Sequence, residues 1–208
     1  MKEYKLYLFD FDGTLADTFE SLINIFDYSF RKVGITNFDK SQISIFARYP
    51  LSETIKIMGI KEQDVPAFIN AINESLDFEE NIKTIKLFPK TLEVIETLKA
   101  KRAGTGIVSS NNSSHIWAIL KNLECDQFFD VVIGNELYSK MKPDGEPVEV
   151  ALSKFNFKKE DCVYIGDSIN DFKAGQNAGI DSYLLDRFNE YPEIKENKLF
   201  SLFELLCS

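Results

Sequence analysis

Tyr4-Lys5-Leu6-Tyr7-Leu8-Phe9-Asp10-Phe11-Asp12-Gly13-Thr14-Leu15 is a short apolar run that stops at two carboxylates. Its length, its aliphatic and aromatic content and the Asp12-Gly13 turn signal predict a buried strand. Residues two apart on an extended segment share a face, so Asp10 and Asp12 converge beyond the strand's carboxyl end. Ligands bind at that edge in open α/β sheets. Two ionised carboxylates about 4 Å apart repel by roughly 4 kcal/mol at an effective dielectric of about 20. A hard cation such as Mg2+, which prefers oxygen ligands, offsets that repulsion. A shared proton does so as well, and raises one pKa. The plainer alternative is a strand running into a turn, with Gly13 supplying permissive dihedrals and Thr14 a cap. A calcium loop is excluded by spacing, because Leu15 stands at its glycine position and Ser21 at its final glutamate position.

The rest of the composition narrows the chemistry. A chain of 208 residues suits one domain, or a core with a sizeable insertion. Hydrophobic residues make up 44% and charged residues 27%, the balance of a globular protein. The formal charge of −9 and the lack of a basic cluster argue against a nucleic-acid partner. Asp10 and Asp12 interrupt the apolar run near the start, so no secretory signal is expected there. No apolar stretch reaches about 18 residues, so no membrane span is expected. Cys125, Cys162 and Cys207 are odd in number and widely spaced, which favours a reducing, cytoplasmic setting. His115 is the only histidine, so a multi-histidine zinc site is impossible. Its setting, Ser113-Ser114-His115-Ile116-Trp117, predicts a surface or partly packed position in the first turn of a helix. Carboxylates, hydroxyls, amides and lysine are left to carry any reaction.

Beyond Thr14 the periodicity becomes helical. Phe19, Leu22, Ile23, Phe26, Phe30 and Val33 recur at three and four, the spacing of one buried helix face, and Gly34 is a stop signal. Residues 39 to 59 predict two short helices broken at Pro50, and Val65, Phe68, Ile69, Ile72 and Leu76 a further helical stripe. No strand is expected between residues 15 and 86. From Phe88-Pro89 onward the pattern alternates. Strands are predicted at Thr105 to Val108, Val131 to Ile133, Cys162 to Ile165 and Ser182 to Leu185. Helices are predicted around Leu92 to Leu98, Ile116 to Leu123, Val148 to Phe155 and Phe172 to Ala178, with a closing helix from Leu199 to Cys207. Such alternation implies an α/β fold with a Rossmann-like parallel sheet, into which the helical segment is inserted after the first strand.

Three of these strands end in polar side chains. The first offers Asp10 and Asp12. The second ends in Ser109-Ser110-Asn111-Asn112, a hydroxyl and a run of amides at a helix N-terminus that favours anions. The third ends in Gly166-Asp167, with Asp171 one helical turn further on. A parallel sheet places all three ends on one edge. Each segment taken singly also reads as local structure: a helix cap at Ser109 to Asn112, a capping motif at Asp167 to Asp171, a turn at Lys142 to Gly145.

In their order and placement these motifs resemble a haloacid dehalogenase superfamily hydrolase, of the branch with an α-helical cap that includes phosphoglycolate phosphatases and β-phosphoglucomutases. Asp10-Phe11-Asp12-Gly13-Thr14, Ser109 after an aliphatic strand, Lys142-Pro143, and Gly166 to Asp171 match the family's four motifs in turn. The resemblance implies a catalytic core of residues 1–14 and 87–208 and a cap of residues 15–86. It implies Asp10 as nucleophile, Asp12 as general acid and base, and Ser109 and Lys142 as contacts to the transferring phosphoryl group. It implies Mg2+ held by Asp10, the Asp12 carbonyl and Asp167, with Asp171 supporting the ion through water or by orienting its neighbours. Thr14, Ser110, Asn111 and Arg48 are the expected substrate contacts, and a small phosphorylated metabolite the expected substrate. A monomer or weak homodimer is expected. Asp12 argues against dehalogenation, whose family members lack an acid there. The Gly-Asp and Asn-Asp pairs of the fourth motif favour hydrolysis over sugar-phosphate mutation. A mutase, a pyrophosphatase and a non-catalytic phosphate-binding module are the alternatives. The loop Ala47-Arg48-Tyr49-Pro50-Leu51 departs from the glycine-rich pattern of phosphoglycolate phosphatases.

Overall fold

The computed structural model describes residues 2–36, 51–76 and 78–207. Arg48 and most of the two helices expected between residues 39 and 59 lie outside the described residues. The chain divides into two compact units, Met1–Asp17 with Leu87–Ser208, and Thr18–Lys86.

The first unit is built on a six-stranded sheet in which every neighbouring pair is parallel. Its strands are β1 (Leu6–Phe9), β4 (Gly104–Val108), β5 (Val131–Ile133), β6 (Cys162–Gly166), β7 (Asp181–Leu185) and β8 (Lys198–Leu199), in the order β5-β4-β1-β6-β7-β8. Two further two-residue strands, β2 (Ala16–Asp17) and β3 (Lys86–Leu87), pair with each other. They correct the expectation of no strand between residues 15 and 86; two residues are too short for any periodicity to register.

β1 is central because it is apolar on both faces. All four of its residues are buried. Leu6 and Leu8 pack with Val108, Ile133, Val148, Ala151, Cys162 and Tyr164 in one core layer. Tyr7 and Phe9 point the other way, as a period of two requires, and their rings stack 6.5 Å apart. Burying a leucine is worth about 1.5–3 kcal/mol relative to leaving it exposed, which makes this layer a main support of the sheet.

Register fixes where the strands end. Phe9 pairs with Ile107 on one side and with Ile165 on the other, and Gly166 pairs with Leu184. Asp10, Ser109, Asp167 and Asp186 therefore emerge side by side at one edge. Helices α5 (Thr91–Ala100), α6 (Ser113–Asn122), α7 (Glu146–Leu152) and α8 (Ile169–Asn177) connect the strands.

The second unit is helical. Among the described residues its α-helices are α1 (Phe19–Lys32), α2 (Leu51–Ile57), α3 (Val65–Leu76) and α4 (Glu79–Thr84). Phe26, Phe30, Ile60 and Phe68 form its core, with the three phenylalanine rings stacked at 5.1–6.2 Å.

Other expectations are corrected. Phe19 and Ile69 belong to the apolar stripes but are 46% and 36% exposed, so the buried face is narrower than the spacing suggested. His115 is buried, on the same side of α6 as Ile116 and Ile119. The closing segment is not an α-helix. It is β8 followed by a 3₁₀ helix at Leu202–Leu206, which Ser201 and Glu204 cap reciprocally.

Candidate active site

The segment after β1 turns back on itself at once. The Asp10 N–H still donates to Ile165 O at 2.8 Å, continuing the sheet. The Phe11 carbonyl then accepts from the N–H groups of Thr14, Leu15 and Ala16 at 3.3, 3.0 and 3.0 Å, while Gly13 N–H donates to Ala16 O at 2.9 Å. Gly13 makes this turn at φ +81, where other residues are strained. A Cβ there would lie 2.2 Å from Asp167 Oδ2, so the loop packs directly on that carboxylate.

Thr14, fully buried, points its hydroxyl between two acids: 3.2 Å from Asp10 Oδ2 and 3.3 Å from Asp167 Oδ1. A hydroxyl has one proton, so it donates to only one of them at a time. On the other side of Asp10, Lys142 Nζ donates to Asp10 Oδ1 at 2.7 Å and to Asp171 Oδ1 at 2.6 Å. The same ammonium reaches the Tyr164 hydroxyl at 3.2 Å and Val108 O at 3.4 Å. Tyr164 in turn donates its single proton toward Val108 O at 3.0 Å or Asp171 Oδ1 at 3.1 Å.

Asp171 is engaged at both oxygens. Oδ1 takes Lys142, and Oδ2 accepts from the Ser168 N–H at 3.2 Å and from the Ser168 hydroxyl. Ser168 and Asp171 together make the capping box that starts α8. Carboxylate oxygens of Asp10, Asp167 and Asp171 lie within 4.8 Å of one another.

Ser109 ends β4 with its N–H on Ile133 O at 2.9 Å. Its hydroxyl accepts from Asn111 N–H at 3.1 Å and faces Asp12 Oδ2 at 3.4 Å. Tyr138 donates to the Ser109 carbonyl at 2.9 Å, fixing the strand end. Ser110 is exposed, and the Asn111 side chain is turned to its own loop, accepting from Asn112 N–H at 2.8 Å. The structure thus gathers Asp10, Asp12, Thr14, Ser109, Lys142, Asp167 and Asp171. It leaves Ser110 and the Asn111 side chain at the rim.

Burial pushes the Asp10 carboxyl well above the usual carboxylate range; Lys142 opposes the shift, and Asp171, Asp167 and Asp12 add to it. Asp167 is pushed up to about 7, first by burial and then by the charge of Asp171. Three carboxylates face a single ammonium, and the site is short of positive charge. An all-oxygen donor set with that deficit fits a hard divalent cation such as Mg2+, which Asp10 and Asp167 are placed to hold.

Two site residues escaped the sequence reading. Tyr164 sat unnoticed inside an apolar strand, Cys162-Val163-Tyr164-Ile165. Arg187 follows β7 and donates from Nη1 to Gly13 O and from Nη2 to Thr14 O, each at 2.7 Å. The rule that singled out Asp10, Ser109 and Asp167, a polar residue just past a strand's carboxyl end, also applies to Asp186-Arg187. A cleft lined by Gly13, Asp167, Asp186, Arg187, Phe188 and Glu190 opens beside the acids.

The site is thus an acid-rich, lysine-bridged cluster at one edge of a parallel α/β sheet. The chain belongs to the haloacid dehalogenase-like hydrolase family, whose family model matches residues 7–185. It is 34% identical to the pyrophosphatase PpaX of Listeria monocytogenes over 172 residues, 82% of this chain and 78% of the relative. The crystal structure of a haloacid dehalogenase-like hydrolase from Bacteroides fragilis superposes with a TM-score of 0.83 at 28% identity, covering 95% of this chain and 96% of that one. A hydrolase of the same superfamily from Streptococcus pneumoniae has the same fold, with a TM-score of 0.84 at 23% identity, covering 100% and 99% of the two chains. The chain is an enzyme of this hydrolase family.

Proposed function

We propose that the chain is a Mg2+-dependent phosphatase that acts on a small phosphorylated metabolite through a phosphorylated Asp10. The observation that carries this reading is the setting of Asp10, held at 2.7 Å by Lys142 on one side and 3.2 Å by Thr14 on the other. A nucleophile held from two sides loses little orientational freedom on reaction.

Asp10 attacks phosphorus, the bond to the leaving oxygen breaks, and Asp12 gives that oxygen its proton. Asp12 then takes a proton from the water that cleaves the Asp10–phosphorus bond, which restores the carboxylate. The Ser109 hydroxyl and the Lys142 ammonium stabilise charge on the phosphoryl oxygens. Asp10, Asp167 and the Asp12 carbonyl would hold Mg2+, which when bound would supply charge neutralisation at the substrate's phosphoryl group. Asp171 works by fixing Lys142, because both of its oxygens are already taken.

Inorganic pyrophosphate is the second substrate reading, favoured by the name of the Listeria relative. The test is phosphate release from a panel of aryl phosphate, phosphoglycolate, sugar phosphates and pyrophosphate, with and without Mg2+. Turnover of at least one ester or of pyrophosphate is expected, and Asp10→Asn should abolish it with the fold intact. Full metal-dependent turnover by that variant would overturn the assignment.

A further inference from the structure

We infer that Arg187 is a positioning residue: it clamps the backbone of Gly13 and Thr14 and so sets the Thr14 hydroxyl and the Asp167 carboxylate around Asp10. This rests on the phosphatase reading only for its kinetic consequence.

The carbonyls of three consecutive residues are each caught from outside the loop. Arg187 supplies donors to Gly13 and Thr14, and the Phe88 N–H donates to Leu15 O at 3.0 Å. The guanidinium lies over the Phe88 ring, 4.0 Å from its centroid, so the clamp is itself braced. From inside, the Phe11 carbonyl holds the matching N–H groups. The loop so fixed carries the Thr14 hydroxyl, shared between Asp10 and Asp167, and the Gly13 backbone, against which Asp167 rests too closely for a methyl group. A shift of the loop therefore moves both acids' partners at once.

The Arg187 hydrogen bonds to Gly13 and Thr14 go to neutral carbonyls, although Asp167 and Asp17 are near enough to favour its charge. That is the use to which a rigid two-pronged donor is suited; a lysine sets its three donors on one nitrogen and lacks the planar fork that spans two adjacent carbonyls. The turn that bears Arg187 does not depend on the guanidinium. Asp186 accepts from Glu190 N–H at 2.6 Å and Tyr191 N–H at 3.0 Å, and pairs with the buried Lys198 at 2.6 Å. Removing the Arg187 head group should free the catalytic loop while leaving its own turn in place.

The experiment compares Arg187→Met and Arg187→Lys with the parent protein. The readouts are thermal unfolding, Mn2+ binding by electron paramagnetic resonance, and kcat and KM on an aryl phosphate. Both variants should unfold cooperatively. Mn2+ affinity should fall by about tenfold or more, as when an outer partner of a metal site is lost. kcat should fall by about tenfold to a hundredfold with KM within about twofold, the signature of misplacement rather than lost binding. Millimolar guanidinium should partly restore kcat in the Met variant and do nothing for the Lys variant. Unchanged Mn2+ affinity in both variants, whether or not they are less stable, would overturn the inference, as would a kcat loss in the Met variant that guanidinium cannot rescue. If the parent protein hydrolyses nothing, the phosphatase reading fails, and the Mn2+ comparison alone decides the role of Arg187.

Discussion

Lys142 and Asp10 form a buried ion pair at 2.7 Å, with side chains only 6% and 8% exposed. Breaking a buried pair from one side leaves an uncompensated charge, which costs about 3–5 kcal/mol. Lys142→Met strands Asp171 as well, because the same ammonium serves both acids. The variant should be less stable by about that amount, and its turnover should drop about a hundredfold or more. Asp10→Asn combined with Lys142→Met should be less destabilised than the two single losses added together, because the partners are coupled. Chemical denaturation of the three variants measures this directly; simple additivity would show that the pair is not a unit.

The acids also set a pH dependence for the metal-free protein. Asp167 is raised to about 7 in the folded state from an ordinary value near 3.8. Between those values the folded form binds more protons than the unfolded form, so stability falls as pH rises. The stabilising proton is fully in place below about 4 and gone above about 7; Asp10 shifts in the same direction. With EDTA present, Tm should therefore fall between pH 5 and 7.5. Asp167→Asn should flatten that slope, and Mg2+ should raise Tm most at the high-pH end. A parent Tm that is level or rising with pH relative to Asp167→Asn contradicts the assignment.

The sheet was legible because parallel strands are buried on both faces. β1 and β6 read as unbroken apolar runs, and their ends are marked by abrupt polar residues. Asp10, Ser109 and Asp167 each follow such a run, so strand-end logic sets them on one edge without coordinates. What that logic cannot supply is contact across distance. Lys142 meets Asp10 from 132 positions away, and nothing local marks its loop as reaching inward. Tyr164 was hidden by its own apolarity in a strand that needed no explanation. A closing helix is expected from Leu199 to Cys207, but its 3₁₀ type is not legible, because five residues are too few to separate periods of 3.0 and 3.6.

Gly13→Ala tests the close approach of the loop to Asp167. The added Cβ meets a carboxylate oxygen at 2.2 Å, and φ +81 is strained for any side chain. The left-handed backbone alone costs about 1–2 kcal/mol. The methyl group must also push Asp167 away from Asp10. Mn2+ binding should weaken by about tenfold or more, and should do so even where Tm shows the protein fully folded at the temperature of measurement. Retention of parent-like affinity would mean that Asp167 is free to move without consequence.

Tyr164→Phe removes one oxygen from the core and leaves the ring packing intact. Tyr164 is fully buried, and its hydroxyl touches Lys142, Asp171 and Val108 O. Loss of a buried hydrogen-bonding group costs about 1–3 kcal/mol where its partners go unsatisfied. Here Lys142 and Asp171 still have each other at 2.6 Å, so the loss should sit at the low end. Lys142 would keep its charge but lose one of the contacts that set its direction. kcat should therefore fall by about tenfold, with KM little changed. A variant with kcat equal to the parent's would show that the two acids alone suffice to aim the ammonium.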